Sequence, residues 1–165
     1  MKFLEKDLEE IIFSTNRSDL EKRGLTINGR LYRQKRIGNY GVADLVSVDR
    51  ETIVFDGKLR HQIFNITIYE LKKEKIGISA FLQALGYLKG VKSFIDKKNL
   101  KVSFNYKIVL IGKEIDSFSN YIFLSDFLIT NYEPLLENYT YKYDVDGLKF
   151  KLHQNYALKN EGFGL

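Results

Sequence analysis

Cysteine is absent from the 165 residues, which excludes disulfides and thiolate metal sites and allows a reducing compartment. The single proline, Pro134, marks no domain boundary. No internal repeat or low-complexity linker divides the chain. No apolar run approaches the length of a membrane span, and the opening Met1-Lys2-Phe3-Leu4-Glu5-Lys6-Asp7 has acids where a secretory leader would be apolar. These gaps lead to the expectation of a soluble, cytoplasmic protein with no membrane partner. Histidine is scarce as well: His61 and His153 are isolated in sequence, and neither is assigned a catalytic role.

What is present is a hydrophobic fraction of 44%, enough for one proper core, so a single domain over residues 1–165 is expected. Lys and Arg outnumber Asp and Glu by 26 to 21, a formal charge of +5. That is a mild bias toward polyanionic partners and does not by itself establish nucleic-acid binding.

Leu4, Leu8, Ile11 and Ile12 form an apolar stripe that predicts a helix over residues 3–14, with Glu5 and Glu9 one turn apart on its flank. Glu5 reads as a solvated residue near the favourable end of the helix dipole; Glu9, next to Leu8, sits closer to the buried side. Asn28-Gly29 reads as a two-residue hairpin turn between strand-like flanks. Then Arg30, Arg33, Lys35 and Arg36 surround Tyr32 in the densest basic segment. Such a segment suits phosphate tracking, or equally an edge strand protected by its own charges.

Two strand-like segments carry ionisable groups on apolar rows. In residues 41–48, period two puts Asp44 in one row with Val42, Val46 and Val48. In residues 66–72, Ile66, Ile68, Glu70 and Lys72 share one side, while Thr67, Tyr69 and Leu71 share the other. Residues 49–62, with a turn at Asp56-Gly57, join the two segments, so antiparallel neighbours are expected. Asp44, Glu70 and Lys72 then converge on one face. Either they form a divalent-metal site, or Lys72 forms a salt bridge with one of the acids.

Beyond Lys72 the period changes. Ile78, Phe81, Leu82, Leu85, Leu88, Val91, Phe94 and Ile95 trace a helical face to about residue 98, with Gln83 and Tyr87 off that face. Gly86 and Gly90 in its interior suggest a close approach to the sheet, since each otherwise costs about 1 kcal/mol. Residues 106–111 read as a buried strand, 120–126 as a further strand and the region around 133–138 as a short helix. Residues 139–145 and 148–152 flank Asp146-Gly147 as a hairpin. Asp144 and Asp146 read as turn aspartates, because the other oxygen ligands of a calcium loop are missing.

This order, with Leu8-Glu9 on the first helix, Gly41-Val42-Ala43-Asp44-Leu45, Glu70-Leu71-Lys72, and Gln83 and Tyr87 in Gln-Ala-Leu-Gly-Tyr-Leu, resembles the PD-(D/E)XK nuclease superfamily. Within it, the small domains related to NucS-type mismatch endonucleases and RecB-like nucleases are the most similar. A Glu-x-Lys alone occurs everywhere; four elements in order, each in the right kind of segment, are far more specific. Ala43 stands where the superfamily name has proline, and the chain after Ile115 matches no part of the pattern.

The resemblance implies an α/β fold, a mixed central sheet flanked by helices with a restriction-endonuclease-like αβββαβ core over about 3–112 and a C-terminal hairpin extension over about 120–165. It implies an Mg2+-dependent DNA endonuclease, with Mn2+ able to substitute. Asp44, Glu70 and the Leu71 carbonyl would hold the metal, and Glu9 a metal-bound water or second ion. Lys72 would orient or help deprotonate the attacking water, and Gln83 would contact the scissile strand, with Tyr87 beside it. Arg30, Arg33, Lys35 and Arg36 would follow the phosphates. A homodimer is one way to cut both strands. Two alternatives stay open: a non-catalytic nucleic-acid-binding or assembly module, as in a mobile element or virus particle, and an enzyme acting on RNA, which offers the same phosphates.

Overall fold

Helix α1 (Glu5–Ser14) buries Leu8 and Ile12, one turn apart, and α2 (Arg17–Lys22) buries Leu20. Asn16 separates them and caps α2, its side chain accepting the Asp19 N–H at 2.9 Å. The chain is known here from a computed structural model, which describes residues 3–117, 120–129 and 135–153.

Strands β1 (Arg30–Arg36), β2 (Val42–Phe55) and β3 (Leu59–Leu71) form an antiparallel meander. The β2–β3 turn closes with the Lys58 N–H donating to the Phe55 carbonyl at 3.1 Å, and Asp56 and Gly57 both have positive φ, 48° and 69°. That backbone twist matches the twist of the flanking strands, which is why an Asp-Gly pair can hold so long a hairpin in register. After the short β4 (Lys75–Ile76), helix α3 (Ile78–Lys98) crosses over the sheet so that β5 (Ser103–Gly112) returns parallel to β3.

The two-residue β6 (Glu114–Ile115) pairs with β4, and helix α4 (Tyr121–Leu128) leads toward β7 (Leu136–Asp144), which lies parallel to β5. β8 (Gly147–His153) closes the far edge antiparallel to β7. The result is an α/β fold around a mixed six-stranded sheet, ordered β1-β2-β3-β5-β7-β8. Alternation divides the core in two: Ile66, Ile68, Ile108 and Leu110 face α3, while Tyr69, Leu71, Val109 and Ile111 face α1. No helix of the described residues is long and apolar enough to cross a membrane.

Several expectations are corrected. Residues 25–29 form no strand, so Asn28-Gly29 is not a hairpin turn; Gly29, φ +75°, crosses so close to β2 that a Cβ would lie 2.3 Å from the Val48 carbonyl oxygen. The strand expected over 120–126 is instead helix α4, because Tyr121 and Ser125, one turn apart, are the buried pair. Of the helix expected around 133–138, residues 133 and 134 lie outside the described residues, and Leu136 onward is β7.

On α3 the buried stripe is Ala80, Phe81, Ala84, Tyr87 and Leu88, while Leu82, Leu85 and Phe94 are exposed. The alanines let the helix lie close to the sheet. A Cβ on Gly90 would come 2.6 Å from the Tyr40 ring and 2.7 Å from Ile37, so this glycine serves a close approach to the segment before β2. Gly86 borders open space.

Candidate active site

The carboxyl end of β3 and the beginning of β2 bring Asp44, Glu70 and Lys72 together. The β2–β3 pairing ends at Leu45 and Tyr69, and the Asp44 side chain takes the next donor, its Oδ2 accepting the Leu71 N–H at 2.9 Å. Glu70 is 1% exposed. Its Oε1 accepts from Lys72 Nζ at 2.7 Å, and its Oε2, also buried, has no hydrogen-bond partner among the described residues. Lys72 Nζ also reaches Gln83 Oε1 of α3 at 3.3 Å, and Gln83 Nε2 donates to the Tyr87 hydroxyl at 2.9 Å. A continuous polar chain therefore runs from Glu70 through Lys72 and Gln83 to Tyr87. Tyr87 in turn packs under Gly41, φ +114°, where a Cβ would meet its ring at 3.0 Å.

The salt bridge anticipated as one alternative is thus present, yet it satisfies only half of the Glu70 carboxylate. Burial pushes Glu70 up from its usual value near 4.5 to about 7, the Lys72 hydrogen bond acting against this and the Asp44 charge adding to it. Burial likewise raises Asp44, partly offset by the Leu71 N–H and reinforced by the charge of Glu9. For Lys72, burial pulls downward, but the Glu70 carboxylate outweighs it and the ammonium titrates above its usual range. Burial shifts both carboxyl groups toward their neutral forms, and one oxygen, Glu70 Oε2, lacks a partner among the described residues. An oxygen-only donor set of this kind fits a hard divalent cation, which Asp44 and Glu70 could hold. Among the described residues no cluster of three or more His, Asp or Glu side chains surrounds one point.

The neighbouring acids divide differently from the expectation. Glu9 is 4% exposed and engaged elsewhere: Arg33 Nε and Gln34 Nε2 both donate to its carboxylate, and Arg33 also pairs with Glu10. Its charge still acts on Asp44. Glu5, read as a solvated helix residue, has a charge that bears on Asp44, Glu70 and Lys72 alike. Its spacing one turn before Glu9 was the signal for it.

Of the four basic residues of β1, Arg33 is taken up by Glu9 and Glu10. Arg30 and Lys35 flank the Tyr32 ring at 5.2 and 5.5 Å from its centroid, and with Arg36 they are exposed. Gln34 went unnoticed in the sequence, since nothing about a glutamine between Arg33 and Lys35 marks a special backbone; it has φ +47°. Remote from these, Asp144 Oδ1 accepts the Asp146 N–H at 2.9 Å and both aspartates pair with Lys149, as turn residues do. His61 bonds Ser103, and His153 bonds Thr140. The chain matches no family model, no curated protein and no solved structure, so the site stands on its own residues and geometry.

Proposed function

We propose that this chain is a metal-dependent phosphodiesterase of the PD-(D/E)XK type that cleaves DNA, with Asp44, Glu70 and Lys72 at its centre. The observation that carries the reading is the buried, unpartnered Oε2 of Glu70 beside a second carboxylate of raised pKa. The Lys72 salt bridge accounts for only one of the two Glu70 oxygens, and a buried acceptor without a partner costs about 1–3 kcal/mol. A divalent cation there would remove that cost. The order of helix, antiparallel three-strand meander, helix and parallel strand supports the restriction-endonuclease-like core that the resemblance implies.

Asp44 and Glu70 would hold Mg2+, or Mn2+ in its place, with the Leu71 carbonyl between Glu70 and Lys72 as a third oxygen. Bound there, the ion supplies a water acidified toward neutral pH and a positive charge for the phosphate oxygens. Burial pulls the Lys72 pKa down, but the Glu70 carboxylate holds it above its usual range. Its ammonium is suited to donate from Nζ to a phosphate oxygen or the attacking water and to offset developing negative charge. Gln83 fixes the Lys72 ammonium from the opposite side, and its amide can turn toward the scissile strand. Arg30, Lys35 and Arg36 supply exposed cations for the flanking phosphates.

The test is cleavage of plasmid and linear DNA in Mg2+, Mn2+ and EDTA by wild type and by Lys72→Ala. Cutting that needs a divalent ion and vanishes in the variant supports the reading. DNA binding without cutting, the same in both proteins, would favour a non-catalytic binding module.

A further inference from the structure

Strand β2 changes face in a single step at Asp44. Leu45 packs in the cluster under α1, whereas Ala43 packs with Val46 in the cluster under α3, although residues two apart on a strand should share a side. The row expected from strict alternation, Val42, Asp44, Val46 and Val48, is therefore broken at its acid. Strand β1 turns at the same level. Arg33 pairs with Leu45 and Lys35 with Ala43, and between them Gln34 lies in the left-handed region at φ +47°. That conformation is uncommon for a residue other than glycine, asparagine or aspartate, and where it persists the surroundings hold it, often beside a functional group.

Two arrangements depend on the turn. The Gln34 side chain lies on the same side as that of its neighbour Arg33, so that both donate to Glu9. Asp44, at the step where β2 crosses from one face to the other, sends its carboxylate sideways to the Leu71 N–H rather than onto either apolar row. From there it acts on Glu70.

We propose that Gln34 is a positioning residue of the acidic site: its left-handed backbone turns β1 and β2 together so that the Asp44 carboxylate meets the end of β3, and its amide fixes Glu9 beside them. The inference rests on reading Asp44 and Glu70 as a cation site. The Gln34 amide bonds Glu9 rather than Asp44, Glu70 or Lys72.

Four variants of the full chain separate backbone from side chain: Gln34→Gly, Gln34→Asn, Gln34→Ala and Gln34→Val. Glycine and asparagine tolerate positive φ, alanine less, and β-branched valine least, while asparagine and valine are close in size. Mn2+ affinity by titration calorimetry, at a temperature where each variant is folded by circular dichroism, should follow glycine and asparagine, then alanine, then valine. The valine variant should bind about tenfold or more weakly than wild type, the usual scale for losing a group that orients a metal ligand. In cleavage assays kcat should fall in the same order while KM for DNA stays within about twofold, since the exposed cations Arg30, Lys35 and Arg36 are all kept. If valine prevents folding, the asparagine and alanine variants carry the comparison. Wild type that binds Mn2+ while asparagine, alanine and valine variants all bind it alike would overturn the inference alone. Wild type that binds no Mn2+ would overturn the cation site itself, and the inference with it.

Discussion

Replacing Glu70 with glutamine removes a charge from a side chain that is 1% exposed while keeping its shape. In the unfolded chain this carboxyl ionises near 4.5, but in the folded protein burial delays ionisation to about 7. Between those values the folded chain holds a proton that the unfolded chain has lost. Stability therefore falls as pH rises through this window, and the full cost is present above pH 7. An interval from 4.5 to about 7 corresponds to about 3 kcal/mol. Glutamine avoids this cost but offers Lys72 a weaker acceptor, so the metal-free variant should gain about 1–3 kcal/mol at pH 8 and almost nothing at pH 4. For a domain of this size that is a rise of about 2–4 °C in Tm per kcal/mol. Saturating Mn2+ should reverse the order, because a ligand at about 1,000 times its Kd stabilises the protein that binds it by about 4.1 kcal/mol, more than the gain. Thermal unfolding of both proteins at pH 4 and pH 8, in EDTA and in Mn2+, reads all of this. A Glu70→Gln protein less stable than wild type at pH 8 in EDTA would refute the reasoning and make the Lys72–Glu70 pair a structural salt bridge.

Lys72→Ala should lower the cleavage rate by at least about 100-fold while DNA affinity and its salt dependence stay near wild type, as filter binding across salt concentrations would register. Arg33→Ala should lower the urea midpoint, because it strips the charged partner from buried Glu9 and leaves it the Gln34 amide, and leave the salt slope of DNA binding unchanged. Arg36→Ala, at an exposed position, should instead reduce that slope by about 1 with little change in urea denaturation. Gly90→Ala should cost about 1–3 kcal/mol through its clash with Tyr40 and Ile37, whereas Gly86→Ala, facing open space, should stabilise α3 by up to about 1 kcal/mol in the same denaturation assay.

Much of the architecture was legible because its signals are local. The period-two rows around Ile66 and Ile68, the Asp56-Gly57 and Asp146-Gly147 turns and the apolar period of α3 each depend on a few adjacent residues, and each element formed. Elements whose choice depends on distant partners were not legible. The run Tyr121-Ile122-Phe123-Leu124 fits either period, and only the burial of Tyr121, its hydroxyl bonded to Asn138 of β7, makes it helical. The exposed Leu82 and Leu85 belong to the same class: the sequence offers two candidate faces on α3, and the small Ala80 and Ala84 decide which one meets the sheet.

Within the site, the pairing of β2 with β3 and the resulting approach of Asp44, Glu70 and Lys72 followed from alternation and connection length. The break at Gln34 and Asp44 did not, because glutamine carries no local preference for positive φ. Neither did the capture of Arg33 by Glu9, which joins residues 24 apart in sequence. A segment of four basic residues thereby keeps three exposed cations, Arg30, Lys35 and Arg36, outside that pair.

The most direct test of the central claim is a cleavage assay on linear, branched, mismatched and single-stranded DNA, with one RNA, in Mg2+, Mn2+ and EDTA, comparing wild type with the Glu70→Ala, Lys72→Ala double variant. Cutting of DNA that requires a divalent ion and disappears in the double variant is the expected result. Binding without cutting under every metal condition, equal in the two proteins, would contradict it.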